Sequence, residues 1–412
     1  MRNGYFKTSE ESTDNFVGLR FKDGIPEVVF PHGYNLSENE VECRKDVFRL
    51  LNVLKKFTDL QQGNTTNSKK ETITQLPISS YQYIIHNYLN YGYYTETEEQ
   101  YVKSQKGKIN WKRTIQQEKP QLDGINVVYL NFQTKTNQIN TNNLLSKIHQ
   151  YCVYLSFLKF GWLYMSSNYL PQKPIIKFDK KLFISTLEQA ISNTFNESKQ
   201  KLFRSMINIL NEENDEINIR NKSYGVEHFE TIWEQLIDHV FGEVDKKKYF
   251  PHATWHIIKN DKVEKSSALE PDTIMKYNGK TYVLDAKYYQ YGISQNPKDL
   301  PNTSSIQKQI TYGKHIAEQF YKGSENSVYS AFVLPYKSEN LDKWKFVSIG
   351  SADWEEYNSK TYNYAYILAL LLDSKWIING YSRHNDYEIE KLANLIETSL
   401  NSYRLGYEKT NS

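Results

Sequence analysis

The chain has 412 residues, of which 39% are hydrophobic and 24% charged, with a formal net charge of +3. That balance describes a globular chain able to bury a core, long enough for two or three domains at roughly 100–200 residues each. It excludes a global electrostatic field, so any nucleic-acid site must be a local patch. The two cysteines, Cys43 and Cys152, offer no paired ligand motif and no disulfide framework, and the amino-terminal residues lack an apolar signal segment. The longest apolar run, Tyr364 to Leu372, is far short of the ~20 residues of a membrane span. A cytoplasmic protein without a membrane segment is expected.

In chain order, residues 1–15 are polar. Phe16–Phe21 and Glu27–Phe30 read as a strand pair around Asp23-Gly24. Ser37-x-x-Glu40 is a capping box that opens a helix carrying Val41, Val47, Leu50, Leu51 and Leu54 on one side. The polar stretch 61–71 reads as a linker, and a second helix runs from about Ser80 to Tyr91, stopping at Gly92. Lys106–Ile115 alternates as a strand with Ile109, Trp111 and Ile115 on one face and a basic set, Lys108, Lys112 and Arg113, beside it. Those cations are candidates for a nucleic-acid or partner contact, against the simpler reading of a solvated face. Asn142 is placed to cap a core helix with Leu144, Leu145, Ile148, Cys152 and Leu155 at helical spacing. Pro171 and Pro174 mark a boundary. Two helices follow, over about 179–195 and 197–212, and then a polar run from Asn211 to Ser223. The expected organisation is an amino-terminal α+β domain over 1–170, a helical connector over 171–223 and a further domain over 224–412.

Residues 227–241 form an amphipathic pattern, with Phe229, Ile232, Trp233, Leu236, Ile237 and Val240 apolar and Glu227, Glu230, Glu234 and Asp238 as an acidic ridge. The spacing alone does not separate those four acids. Trp255–Ile258 is a strand candidate. Next come Thr273–Tyr277 and Lys280–Ala286, two short strands around Asn278-Gly279, the strongest short-range hairpin signal. Pairing Tyr277 with Lys280 sets the register, and counting outward brings Asp272 opposite Asp285. Alternation then puts Lys287 on the face of Asp285. Two carboxylates opposed in a sheet repel, and a hard cation between them, Mg²⁺ with Mn²⁺ as a substitute, resolves the repulsion. Lys287 is placed to hold or deprotonate an attacking water, which is the layout of metal-assisted phosphodiester hydrolysis. The competing reading is a surface ion pair worth ~0–1 kcal/mol. Asp-x-Lys or Glu-x-Lys also occurs at 179/181, 197/199 and 245/247, but none of those follows a Pro-Asp hairpin.

Pro271-Asp272 followed by Asp285-Ala286-Lys287 resembles the PD-(D/E)xK nuclease motif. The flanking wording Pro-Asp-Thr-Ile and Val-Leu-Asp-Ala-Lys-Tyr-Tyr is similar to the McrC-like nucleases and LlaJI-type restriction endonucleases. The resemblance is firmest over about 224–350. It implies an α/β restriction-endonuclease-like core, a mixed central sheet flanked by helices, preceded by the α+β amino-terminal region. It implies that Glu234, through the Trp233-Glu234 pair, joins Asp272, Asp285 and the main-chain carbonyl of Ala286 around the metal, with Glu230 in reserve. It further implies that a helix opened by Ser304 or Ser305 sets Lys308, Gln309 and Tyr312 beside the site, against the plainer reading of a helix that covers the sheet. The basic strand at 106–115 is similar to one in the McrC-like amino-terminal region.

The remaining elements are buried strands at Ser330–Pro335 and Lys345–Ile349, a covering helix over Tyr364–Leu372 and a closing helix over Asp386–Tyr403. No GxxxxGK[ST], HExxH or Gly-x-Ser-x-Gly motif occurs. The sequence thus points to a Mg²⁺-dependent endonuclease acting on double-stranded DNA in restriction or phage defence, and the resemblance implies a separate McrB-like AAA+ GTPase partner. A self-sufficient enzyme that reads its own site and a non-catalytic DNA-binding adaptor are the alternatives; self-association stays open.

Overall fold

In the computed structural model Asn278 and Gly279 both take positive φ, +46° and +74°, the backbone that a two-residue hairpin turn demands and that Asn-Gly supplies at low cost. The ladder follows the expected register from Tyr277↔Lys280 to Thr273↔Leu284. Strand Lys280–Ala286 then pairs in parallel with Val328–Tyr336, which pairs in parallel with Ile367–Asp373, and Phe346–Ala352 closes the far edge antiparallel. The result is a mixed five-stranded sheet with helices against it, an α/β arrangement.

Ile274 and Val283, opposed in the ladder, pack with Ile310, Tyr312 and Ile316 of helix Thr303–Tyr321. Their neighbours Met275 and Tyr282 point to the other face by alternation, where the Tyr282 hydroxyl donates to Glu397 of helix Asp386–Thr410. Helix Phe229–Phe241 buries the apolar stripe read from its sequence. Its Trp233 is fully buried, and the indole N–H donates to the Val333 carbonyl at 3.2 Å, fixing the helix to the sheet.

The structure describes all residues except 1–4, 13–14, 65–71, 75, 141–142, 166–168, 213–221, 259–261, 325, 339–345, 354–361, 382–384 and 411–412. The chain divides into two units, residues 1–75 with 220–412, and residues 76–219. The expected boundaries at 170 and 223 therefore lie elsewhere, because strand Ser223–Val226 inserts between Val17–Lys22 and Thr72–Thr74 and ties the first 75 residues to the carboxy-terminal part. Gly33 shows how close that tie is. It has φ +69°, and a Cβ there would stand 2.6–2.9 Å from the backbone of Tyr336, so only glycine fits. In the 76–219 unit, helices Ile78–Tyr91, Leu144–Tyr164, Lys180–Ser192 and Glu197–Glu212 pack together, with Lys159 buried against Glu212 at 3.2 Å. No described helix is long and apolar enough to cross a membrane.

Several local expectations change. The run Tyr364–Leu372 is not a covering helix: Ile367–Asp373 is a sheet strand seated between two others. A strand buried on both faces is a continuous apolar run without alternation. Lys106–Ile115 is not one strand: Lys108–Ile109 pairs briefly, and Asn110 then caps helix Trp111–Gln117 by accepting the Arg113 N–H at 3.1 Å. Asn39 rather than Ser37 heads helix Glu40–Asn64, accepting from the Val41 N–H at 2.9 Å. That helix runs into the expected 61–71 linker, the rest of which lies outside the described residues, as does most of the 211–223 run. Asn143 caps helix Leu144–Tyr164, Asn142 lying outside the described residues, and Asn302 rather than Ser304 or Ser305 caps helix Thr303–Tyr321. Trp255–Ile258 belongs to a longer unread ribbon, His252–Ile257 paired with Lys262–Ala268.

Candidate active site

Pro271 has no N–H to extend a ladder, and the hairpin pairing stops at Thr273↔Leu284. Asp272 uses its side chain instead: the Ala286 N–H donates to Asp272 Oδ2 at 2.9 Å. Its main-chain carbonyl accepts from Lys246 Nζ, which also pairs with Asp238 Oδ2 at 2.9 Å. Asp272 thus reaches across to the Asp285-Ala286 peptide from outside the ladder, as a side-chain bridge and not as the opposed strand residue counted from the register.

Asp285 is 8% exposed, near the carboxyl end of its parallel strand, and pairs with Lys287 Nζ at 2.7 Å. The Lys287 N–H donates to the Val333 carbonyl at 2.9 Å, so the backbone on both sides of Asp285 is held by the sheet. Burial and then the charges of Asp285 and Glu234 push the Asp272 carboxyl up to about 8 from an ordinary 3.8. Burial raises Glu234 as well; Lys287 opposes the rise, and Asp285 and Glu230 add to it. Burial alone would lower the Lys287 ammonium, but Asp285 and Asp272 outweigh it and hold its proton more tightly than a free lysine does. Negative charge therefore exceeds positive where Asp272, Asp285, Glu234 and Lys287 act on one another.

This donor set suits a hard divalent ion: it is all oxygen, with charge in excess of what Lys287 neutralises. Among the described residues no group of three or more His, Cys, Asp or Glu side chains stands so that it could hold a metal ion. The residues that would hold an ion are two carboxylates, Asp272 and Asp285, with the Ala286 carbonyl.

Glu234 and Lys287 line one cavity of about 340 Å³ together with Ala286, Glu230, Tyr288 and, from beside the first strands, Ser9, Asn15 and His32. Glu230 is exposed and bonded to His228 Nδ1 at 2.9 Å. Tyr312 lies beside the acids. Burial and then Asp285 and Asp272 push its hydroxyl up to about 12, and it donates to the Glu270 carbonyl at 3.4 Å. Gln309 is fully buried, with neither amide atom hydrogen-bonded, whereas Lys308 is exposed on the same helix. Lys108, Lys112 and Arg113 belong to the other unit and are exposed, Arg113 lying 4.0 Å over the Tyr101 ring.

The sequence reading missed the wall that Ser9 and His32 supply from the turns beside the first strands. His32 donates its N–H to the Tyr288 hydroxyl at 2.7 Å, stacks on that ring at 4.7 Å and meets Ser9 Oγ through Nδ1 at 2.8 Å. Nothing local in residues 9–32 signals a partner more than 250 positions away; only the aromatic Tyr288 directly after Lys287 hints at a covered site.

The family model described as LlaJI restriction endonuclease matches residues 16–357. The type II restriction enzyme BsuMI component YdjA of Bacillus subtilis (strain 168) is 24% identical over 390 residues, covering 89% of this chain and 81% of that protein. Among solved structures, a chain of the refined half-complex from the tetradecameric assembly of Thermococcus gammatolerans McrB AAA+ hexamers with bound McrC aligns over 93% of this chain and 83% of its own length. Its identity is 16% and the TM-score 0.36.

The Asp272 shift carries a pH dependence. Its folded-state carboxyl keeps a proton up to about 8 whereas an unfolded one loses it near 3.8. The folded state therefore binds more protons between those values, and metal-free stability falls as pH rises through them. Asp272→Asn retains an acceptor for the Ala286 N–H and removes the titration. In chelator, the variant should unfold at a higher temperature than the parent at pH 9, and the gap should close toward pH 4. A gap that is constant across pH would contradict the assignment.

Proposed function

The chain belongs to the LlaJI restriction endonuclease family, and we propose that it is the nuclease of a restriction system, hydrolysing phosphodiester bonds of double-stranded DNA with a divalent metal in a PD-(D/E)xK-type core. The observation that carries this reading is the convergence of Asp272, Asp285 and Lys287 at the end of a sheet strand, with the Asp272 carboxyl pushed up to about 8 by burial and unneutralised charge. A non-catalytic adaptor has no need of such a cluster, whose cost is offset on binding a cation.

When bound, Mg²⁺ or Mn²⁺ would supply positive charge to the scissile phosphate and to the departing 3′ oxygen. The chain's own residues do the positioning. Asp272 and Asp285, with the Ala286 carbonyl, would hold the ion, and the Ala286 N–H fixes one Asp272 oxygen so that the other stays available. Lys287, kept charged by Asp285, orients the attacking water and offsets charge on the phosphate. Glu234, which takes a proton more readily than a free glutamate, completes the site from helix Phe229–Phe241. The cytoplasm, where DNA and Mg²⁺ are both at hand, is the matching compartment.

A separate AAA+ GTPase subunit is part of the proposal. The McrC-like wording of the hairpin implies one, and the Bacillus subtilis relative is named as one component of a restriction enzyme. This sequence contributes no P-loop of its own.

Asp285→Ala should reduce plasmid cleavage by roughly 100-fold or more, the scale for losing one preorganised electrostatic group, with the circular dichroism spectrum unchanged; wild-type cutting would remove the assignment. Glu234→Gln should raise the Mg²⁺ concentration needed for half-maximal cleavage while Glu230→Gln leaves it near the parent value. The reverse order would move the helix contribution to Glu230. At ~150 mM salt, where screening reaches ~8 Å, the chain alone should nick DNA weakly, and adding the motor subunit with GTP should switch on cutting at defined sites. Robust site-specific double-strand cutting by the isolated chain would favour a self-sufficient enzyme.

A further inference from the structure

Between helix Phe229–Phe241 and the catalytic hairpin the chain leaves the core. His252–Ile257 and Lys262–Ala268 pair only with each other, as a two-stranded ribbon. All six residues of the first strand are exposed, and the second is exposed at all but two positions, so the ribbon covers no core of its own unit. Its root is fixed. Tyr249 is buried with its ring 4.7 Å from that of Phe320, and the Leu269 N–H donates to the Pro251 carbonyl at 2.9 Å. Only residues 269–271 separate the ribbon from Asp272.

The two faces differ. Thr254↔Lys265 and His256↔Val263 are opposed in the ladder and share one face, and Trp255↔Glu264 and Ile257↔Lys262 share the other. The first face offers a hydroxyl, an imidazole and an ammonium with no acid; the only described acid of the ribbon, Glu264, stands on the second. Lys262 and Lys265 make no ion pair among the described residues; at the root the exposed Lys247 and Glu270 carry opposite charges.

We propose, resting on the active-site reading above, that this ribbon lies in a groove of duplex DNA beside the cut position, with Thr254, His256 and Lys265 facing the DNA. A two-stranded ribbon fits the major groove, about 12 Å wide. Strands of this length reach ~20 Å at ~3.3 Å per residue, from a root three residues before Asp272. Threonine and histidine supply the donors and acceptors that base edges present, and lysine pairs with phosphate. The Trp255 face, with its acid, turns away.

The test measures binding of a short labelled duplex by fluorescence anisotropy across a salt series. Every chain is full length and carries Asp285→Ala, so that cleavage does not enter. Adding His256→Ala with Lys265→Glu should weaken binding about tenfold or more and lower the slope of log K against log salt by about 1, the contribution of one phosphate contact. Trp255→Ala should stay within about twofold of the parent. Equal affinity of the parent and the His256/Lys265 variant, or no duplex binding by the parent, overturns the proposal. So does the larger loss falling on Trp255→Ala together with a change in molecular mass, which would make the ribbon a protein contact. Failure of the active-site reading looks different: the Asp285→Ala chain would still cut DNA, whatever the ribbon does.

Discussion

Asp272 accepts a hydrogen bond from the Ala286 N–H across the end of a ladder that it does not itself join, and the arrangement of the site follows from that contact. It brings one buried carboxylate against the residue pair that carries Asp285 and Lys287, in surroundings too poor in water to screen like charges. The sheet keeps the acids from moving apart, since Ala286 and Lys287 are bonded to the neighbouring strand on Asp285's far side. The fold thus holds a charge arrangement that is unfavourable by itself. The proton retained on Asp272 is how the metal-free protein relieves it, and a divalent cation is how the working protein would.

The supports of this arrangement come from distant parts of the chain. Trp233 bonds to Val333 and so presents Glu234 from a helix that starts more than 40 residues before the hairpin. Tyr312 borders the acids from the helix that covers the opposite side of the strands. His32, in the turn after strand Ile25–Phe30, bonds to and stacks on Tyr288, the residue after Lys287, and Gly33 beside it allows the close approach to Tyr336. Removing the amino-terminal strands would therefore strip a wall from the cavity beside Lys287.

The hairpin was legible because its determinants are local: Asn-Gly chemistry sets the turn and two-residue alternation sets the faces. The same local logic found the apolar stripe of 229–241 and the closing helix. It failed where local patterns are ambiguous. Ile367–Asp373 is apolar at every position before its last, a pattern shared by buried strands and buried helices, and the sheet decided. At 108–117 the alternation favoured a strand, and the Asn110 side chain turned the chain into a helix instead. The last step at Asp272 was half legible, since the register predicted its neighbourhood but not that the side chain would replace the backbone bond. The grouping of residues 1–75 with the carboxy-terminal unit was not legible at all, because it depends on pairing between Val17–Lys22 and Ser223–Val226, some 200 positions apart. Gln309 is a further case: its fully buried amide without a hydrogen-bond partner is visible only once the helix is placed.

The central claim is that charge crowding at Asp272 and Asp285 exists to receive a divalent cation. It is tested most directly by calorimetric titration of Mn²⁺ into the metal-free chain at pH 7, in buffers of different ionisation enthalpy. Because Asp272 holds its proton up to about 8 in the metal-free state, binding should expel close to one proton per ion, and Asp272→Asn should abolish that release. No Mn²⁺ binding, or binding without proton release that Asp272→Asn leaves unchanged, would contradict the account.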